Sequence, residues 1–468
     1  MMLKTKEDPS ELAPVPSQPG EVRDMPTYVT DDVFGEVTEN GPNYRNVGWI
    51  GTVALMMKSQ IGLGVLSIPT AFDTLGIIPG IICLCAIAVI TTWSDYMIGV
   101  FKLRHRSVYS IDDVGALIFG RIGREFLGGA FCLYWIFVSG SGMLSLSIGL
   151  NAVSTHGVCT AVFVAVAAIL GFMFSSIRTL GHITWLAWVG LVCILTAILM
   201  VTIAVGVEDR PASAPKDGVW VSDFKIVNHP SFSEGITAVS SLVFAYSGTP
   251  GFFNIVSEMR DPHYYTRALL ICQAGVTAVY ITIGCVVYYY CGSYVASPAL
   301  GSAGPTMKKI SYGFALPGLL VTTTLVTHIP AKYIFIRILR GSKHLTANSV
   351  IHWGTWLGCT FGITLIAYVI ASAIPVFNSL VSLIGALLGT LMSFQPMGCM
   401  WLYDNWSKGK QHKSLRWMLM VCWSVFVIVI GTFLMVAGTY GCIVSVIDTY
   451  NASGGSAAWS CADNSNST

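Results

Sequence analysis

The chain has 468 residues, 54% of them hydrophobic and only 11% charged, with a formal charge of +2 at pH 7. A soluble domain carries about a quarter charged residues, so most of this chain is expected in lipid. The near-neutral balance and the lack of a basic patch interleaved with aromatics exclude nucleic acid as a partner. Seven of the thirteen cysteines (Cys83, Cys85, Cys132, Cys193, Cys285, Cys359 and Cys422) sit inside apolar runs, where a thiol behaves as a small hydrophobe. No CxxC pair occurs, so neither a zinc site nor a disulfide framework is expected, and no cofactor. The sequence leaves open whether Cys461 pairs with Cys159 or with Cys291.

Residues 1–46 hold six prolines and nine Asp or Glu against four Lys or Arg, which is the composition of a disordered cytoplasmic tail. This tail has no signal-peptide core, so the first helix is expected to serve as its own insertion signal. Apolar runs long enough to cross a hydrocarbon layer about 30 Å thick then recur from Val47 to Ser445. They predict helices over 48–73, 77–101, 126–151, 158–177, 182–206, 233–257, 266–291, 313–337, 350–372, 376–402 and 416–445. The fold class is thus an all-α membrane protein of eleven transmembrane helices, with a transporter domain over 47–445 and an extracellular C-terminal tail over 446–468.

Positive residues are retained on the cytoplasmic side. With the N-terminus cytoplasmic, the inner connections carry fifteen Lys or Arg and the outer ones five: Arg210, Lys216, Lys225, Lys308 and Lys309. An odd number of helices places the C-terminus outside. The sequons at Asn451 and Asn466 lie there as glycosylation acceptors. Asn405-Trp-Ser407 also matches the pattern but falls on the inner side.

The first helix contains Lys58-Ser-Gln-Ile-Gly62-Leu-Gly64-Val-Leu-Ser67-Ile-Pro69, and the sixth contains Phe244-Ala-Tyr246-Ser-Gly248-Thr-Pro250-Gly251. Glycine and proline interrupt both near the middle, and in lipid a broken backbone is tolerated only against protein or a watery cavity. A matched pair of broken helices, five helices apart, points to an inverted-repeat transporter with its substrate at the breaks. Free N–H groups at a helix restart suit a carboxylate, and free carbonyls suit an ammonium group. Glycine leaves no Cβ between backbone and ligand. An amino acid carries both charges on one carbon. Small residues also serve helix packing alone; the recurrence of the break in helix six favours the substrate site.

The segments GLGVLSIPTAF, AYSGTPGFFNIVSEMRDP and THIPAKYIFIRILRG together resemble the amino acid/auxin permease family over roughly residues 47–445, in particular the fungal neutral amino acid permeases of the methyltryptophan-resistance, or N system, type. The resemblance implies eleven helices, a five-plus-five inverted repeat with helices one and six broken, and proton- or sodium-coupled amino acid uptake at a plasma membrane. It implies further that Gly62, Leu63 and Gly64 bind the substrate carboxylate. Phe244, Ala245 and Ser247 would offer carbonyls or a hydroxyl to the amine, and Tyr246 and Gly248 complete that break.

Lys58 and His328 each lie nine residues inside an inner helix end, at about 13 Å depth. Intramembrane charges mark ion or proton pathways. In the fold implied by the resemblance a sodium site lies between helices one and eight, where an ammonium or imidazolium would take the cation's place. The alternatives are that Lys58 snorkels and that His328 is interhelical glue. Asp95, Glu258, Asp261 and Lys332 fall near inner helix ends, where solvated charges serve topology or gating, and Lys332, one turn after His328, is placed to influence its protonation. Thr322, Thr323, Thr324 and Thr327 could ligate sodium, although such hydroxyls more often bond their own backbone.

The resulting expectation is a carrier for neutral amino acids, with the proton as coupling ion and sodium the less favoured one. No Asp, Glu or Arg lies in either break to pair a charged substrate side chain. A nutrient sensor of this fold would carry longer soluble extensions. An enzyme is not expected, since neither HExxH nor GxSxG occurs.

Overall fold

The structure, a computed structural model, describes residues 30–31, 35–36, 45–177, 180–211, 213–215, 220–342, 344–345, 348–374, 376–411, 414–453 and 459–465. Ahead of the helices, β1 (Thr30–Asp31) pairs antiparallel with β2 (Gly35–Glu36), with Thr30 opposite Glu36. The rest of the acidic tail, up to Tyr44, lies outside the described residues, as does Asn466.

The first membrane segment is split into α1 (Trp49–Gln60) and α2 (Ile68–Leu75), with a 3-10 turn at Gly64–Ser67 between them. There follow α3 (Ile77–Arg104), α4 (Ile111–Ser154), α5 (Thr160–Ser175) and α6 (Leu180–Val207). A second split segment comprises α7 (Phe232–Tyr246) and α8 (Thr249–Ser257). Next come α9 (Tyr265–Cys291), α10 (Pro305–Leu339) and α11 (Val350–Ala373). The chain ends with α12 (Phe377–Ile384), a π-helical turn at Gly385–Gly389, α13 (Thr390–Ser393), α14 (Gln395–Gln411) and α15 (Leu415–Ser453).

Among the described residues, nine helical stretches are long and apolar enough to cross a bilayer. The protein is therefore an all-α membrane protein. Its outer surface is apolar, with Ile82, Trp185, Ile203, Val429 and Val436 all more than half exposed, whereas serines, threonines and several charges are buried inside. Such a continuous apolar exterior is what a lipid-facing surface requires.

Several boundaries differ from the sequence reading. α4 starts at Ile111 rather than 126, because a polar helical stretch precedes its apolar run. Asp112 and Asp113 sit in its first turn, where the helix dipole favours negative charge, and they pair with Arg124 and Arg340. Gly120, at φ 69°, bends the helix between the polar and apolar parts. α10 extends at both ends, although it contains Pro317 and Pro330. α15 continues to Ser453, so the expected C-terminal tail is helical at its start.

Local chemistry explains the position of α7. Ser231 and Glu234 form a reciprocal capping box, Ser231 Oγ accepting from the Glu234 amide and Glu234 Oε2 from the Ser231 amide at 2.9 Å. α1 packs on α6 and α9, α2 on α7, and α10 lies between α4 and α6. This packing brings the two split segments together in the interior.

Candidate substrate site at the paired helix breaks

At the first break Ile61 (φ −76°, ψ 89°) leaves the helix, its amide still donating to Met57 O at 2.6 Å. The chain turns through Gly62 and Leu63 and resumes at Gly64, where Ser67 Oγ donates to the Gly64 carbonyl at 2.9 Å. Pro69, in the first turn of α2, has no amide to return to the preceding turn, so a restart there costs no hydrogen bond. At the second break the Ser247 amide donates to Phe244 O at 3.0 Å, the Gly248 amide to Tyr246 O at 2.9 Å, and Pro250 opens α8 in the same way.

The two breaks touch. A Cβ on Gly64 would lie 2.4 Å from Ala245 Cα, so only glycine lets the two backbones meet. Gln60 Nε2 reaches across to Tyr246 O at 3.4 Å. Gly62 faces Thr322 of α10, and Gly248 faces Ser59 and Gln60. All eight residues expected in the substrate site, Gly62, Leu63, Gly64, Phe244, Ala245, Tyr246, Ser247 and Gly248, are buried in this one cluster.

The acceptors expected to meet an amine are engaged in this conformation. Tyr280 Oη donates to Ala245 O at 2.7 Å, and Tyr134 Oη donates to Ser247 O. Ser247 Oγ donates to Val243 O at 2.6 Å, and Tyr246 Oη to Thr277 Oγ1 at 3.0 Å. A carbonyl has two lone pairs, so these bonds preset the carbonyl directions without exhausting them. The sequence reading did not single out Tyr134, Tyr280 or Gln60. A tyrosine inside an apolar run reads as core, and only the packing of α4 and α9 across the break shows its hydroxyl as a donor.

Lys58 is fully buried, with Nζ 3.3 Å from Ile61 O, so it caps the broken end of α1 instead of snorkelling. Its stem lies against Gly190 of α6, beside Val321 of α10. His328 does not join it. The imidazole Nδ1 is 3.4 Å from Ser175 O, and the ring stands edge-on to Trp356 with 5.2 Å between centroids, so it faces α5 and α11. Of the two groups offered for the position between helices one and eight, His328 thus lies on another side of α10, in contacts of the kind the interhelical-glue alternative describes. Thr322, Thr323 and Thr324 each donate to the carbonyl four residues earlier, while Thr327 meets Ser139 Oγ at 2.6 Å.

A correction concerns the charges read as solvated. Asp95 and Glu258 are 0% exposed and Lys332 2%. Lys332 Nζ pairs with Glu258 Oε1 at 2.5 Å, joining α10 to the end of α8. The segment before α1 covers that end, Val47 donating to Glu258 O at 3.2 Å and accepting from the Arg260 amide at 2.9 Å. Distance from a helix end overstated solvent access because other chain segments lie on top. Of the four, Asp261 is the one that is exposed, and it caps the turn at Pro262–Tyr264.

A family model described as "Transmembrane amino acid transporter protein" matches residues 45–444. A "Transmembrane transporter" of Gibberella moniliformis is 35% identical over 93% of this chain and 91% of its own length. An "N amino acid transport system protein" of Neurospora crassa is 33% identical over 98% of both chains. Among solved structures, the fold is shared with a Na+-coupled sialic acid symporter in a substrate-bound outward-open state (TM-score 0.54, 13% identity, 87% of this chain and 92% of that one). It is shared also with MhsT in complex with L-phenylalanine (TM-score 0.52, 14% identity, 84% and 98%). The chain belongs to the transmembrane amino acid transporter family, the amino acid/auxin permeases, and resembles its fungal N system type.

Proposed function

We propose that this protein is a secondary active symporter for neutral aliphatic and aromatic amino acids, driven by protons and working by alternating access. The observation that carries the reading is the burial of two apposed helix breaks, at Gly62–Gly64 and Phe244–Gly248, with no Asp, Glu or Arg in either. The amides of Gly62, Leu63 and Gly64 take the substrate carboxylate. The carbonyls of Phe244 and Ala245 and the Ser247 group take the ammonium, sharing it with the hydroxyls of Tyr134 and Tyr280 that already hold two of those carbonyls. Tyr246 and Gly248 shape the same wall. Lys58, capping Ile61 O between α1 and α10, holds the position of a coupling cation; His328 is the second, more remote coupling candidate.

Eleven crossings follow if Thr160–Ser175 and the split Phe232–Ser257 segment are added to the nine long helices, giving a five-plus-five repeat with α15 extra. The disulfide between Cys159 and Cys461 links the α4–α5 connection to the C-terminal tail. Disulfides persist in oxidising surroundings, which supports an extracellular C-terminus, a cytoplasmic N-terminus and residence in the plasma membrane. Uptake of a labelled amino acid panel into proteoliposomes under imposed gradients tests the reading. Neutral amino acids should accumulate with a pH gradient alone. Accumulation only with a sodium gradient would transfer coupling to the α10 threonines, and saturable binding without flux would make the protein a sensor.

A further inference from the structure

We propose that Asp95 is the carboxyl that binds and releases the transported proton, at a buried site it forms with Gln273 and Thr249 on the helix-six side of the substrate break. The proposal rests on proton coupling and assigns the moving proton to a group on the opposite side of the breaks from Lys58.

Asp95 is 0% exposed and lies nine residues inside Arg104 on α3, about 13 Å from that helix end. Gln273 Nε2 of α9 donates to Oδ2 at 2.6 Å, and Tyr265 Oη donates to the Asp95 backbone carbonyl at 3.0 Å, so both the side chain and its helix are held in place. The other oxygen, Oδ1, is buried without a hydrogen-bond partner. From α8, the Thr249 hydroxyl faces the carboxyl. The titratable groups turned towards Asp95 from α9 are Tyr265 and Cys272, a phenol and a thiol whose ordinary values lie above neutral pH. Among the described residues no Lys, Arg or His pairs with Asp95; Lys332 is committed to Glu258, and Lys58 caps Ile61.

An unpaired carboxylate in a low-dielectric interior is strongly disfavoured. In this arrangement the group is therefore taken as the neutral acid. The step is a simple ionisation: the acid loses a proton to water and becomes carboxylate when the site opens inwards, and regains one when it faces out. Ser94 on α3, Asn254 on α8 and Ser393 on α13 each present buried polar atoms lacking partners where these three helices pack together, and such atoms are those that internal waters satisfy.

Substrate linkage is equally local. Thr249 follows Gly248 directly, so the start of α8 connects the helix-six break to Asp95. In this scheme Asp95 changes charge once per cycle.

The test uses full-length protein in proteoliposomes. Asp95→Asn keeps the shape and the neutral state. It should retain substrate exchange, lose accumulation driven by a pH gradient, and flatten the dependence of exchange on pH. Accumulation equal to the parent's would overturn the assignment, and so would a folded Asp95→Asn that loses exchange as well, since Asp95 would then serve binding or structure. If Asp95→Asn does not fold, Asp95→Glu decides: the pH of half-maximal uptake should move, and an unchanged profile counts against the proposal. A parent driven by sodium alone would defeat the proton-coupled reading itself, an outcome distinct from a proton-driven parent whose Asp95→Asn variant still accumulates.

Discussion

At the level of single residues the two break glycines differ in what surrounds them. A Cβ at Gly62 would meet the Thr322 side chain at 2.8 Å, and one at Gly64 would meet the Ala245 backbone at 2.4 Å. A threonine can rotate away and a backbone cannot. Gly62→Val is therefore expected to express normally while transport falls to background. Gly64→Val should lose transport and also destabilise the protein by about 1–3 kcal/mol, the usual cost of overpacking. Labelled uptake and a thermal-shift assay separate the two outcomes, and normal uptake in both variants would remove the substrate site from the first break. Lys58→Ala deletes the cap on Ile61 O. Its exchange should survive while gradient-driven accumulation is lost, whereas His328→Ala, whose ring faces α5 and α11, should disturb accumulation less. Greater loss in His328→Ala would reverse their order.

At the level of elements, what joins α8 to α10 is the buried pair of Glu258 and Lys332. Removing one member leaves the other charge stranded, at a cost of about 3–5 kcal/mol, whereas replacing both by apolar residues is often close to neutral. Lys332→Met should thus lower the melting temperature markedly, and Glu258→Leu/Lys332→Met should recover most of the loss. Equal melting of the single and double variants would show that the pair does not couple these helices. The irregular tenth segment has a comparable role on the other side of the break. Gly385 in its π turn lies against the Ser240 carbonyl and Phe244 of α7, and Gly389 against Ser247, so a local departure from α-helical winding lets two membrane segments close over the helix-six break.

At the level of the whole molecule, the last described residues are tied back across the bundle. Cys461 is bonded to Cys159, Asn464 Oδ1 accepts from Asn151 at 2.7 Å, and the Trp459 amide donates to Ser372 O at 3.2 Å. A native disulfide is worth about 2–4 kcal/mol, so Cys461→Ser should melt earlier than the parent under non-reducing conditions and match it after reduction. Topology is checked by glycosidase digestion after expression in a eukaryotic host. Asn451 and Asn466 should carry glycan and Asn405 none. Glycan on Asn405, which lies in α14 with its amide donating to Trp401 O at 2.9 Å, would invert the membrane orientation.

Much of this architecture was legible from local patterns. Apolar length and the Gly and Pro inside two runs depend on neighbours in the chain, and they located the helices and both breaks, whereas the roles of the eight candidate substrate residues came from the family resemblance. Contacts between distant segments left no such trace. Gln60 meets Tyr246 from 186 residues away, and Tyr134 meets Ser247 from 113. Asp95, read as a solvated charge near a helix end, became a buried acid only when α8 and α9 packed against α3. His328 matched Lys58 in depth, yet its direction was decided by which side of α10 met α5 and α11. Position along one helix is a property of the sequence by itself. The partner of a buried polar group depends on how helices rotate and pack about one another, and that was decided by the tertiary structure alone.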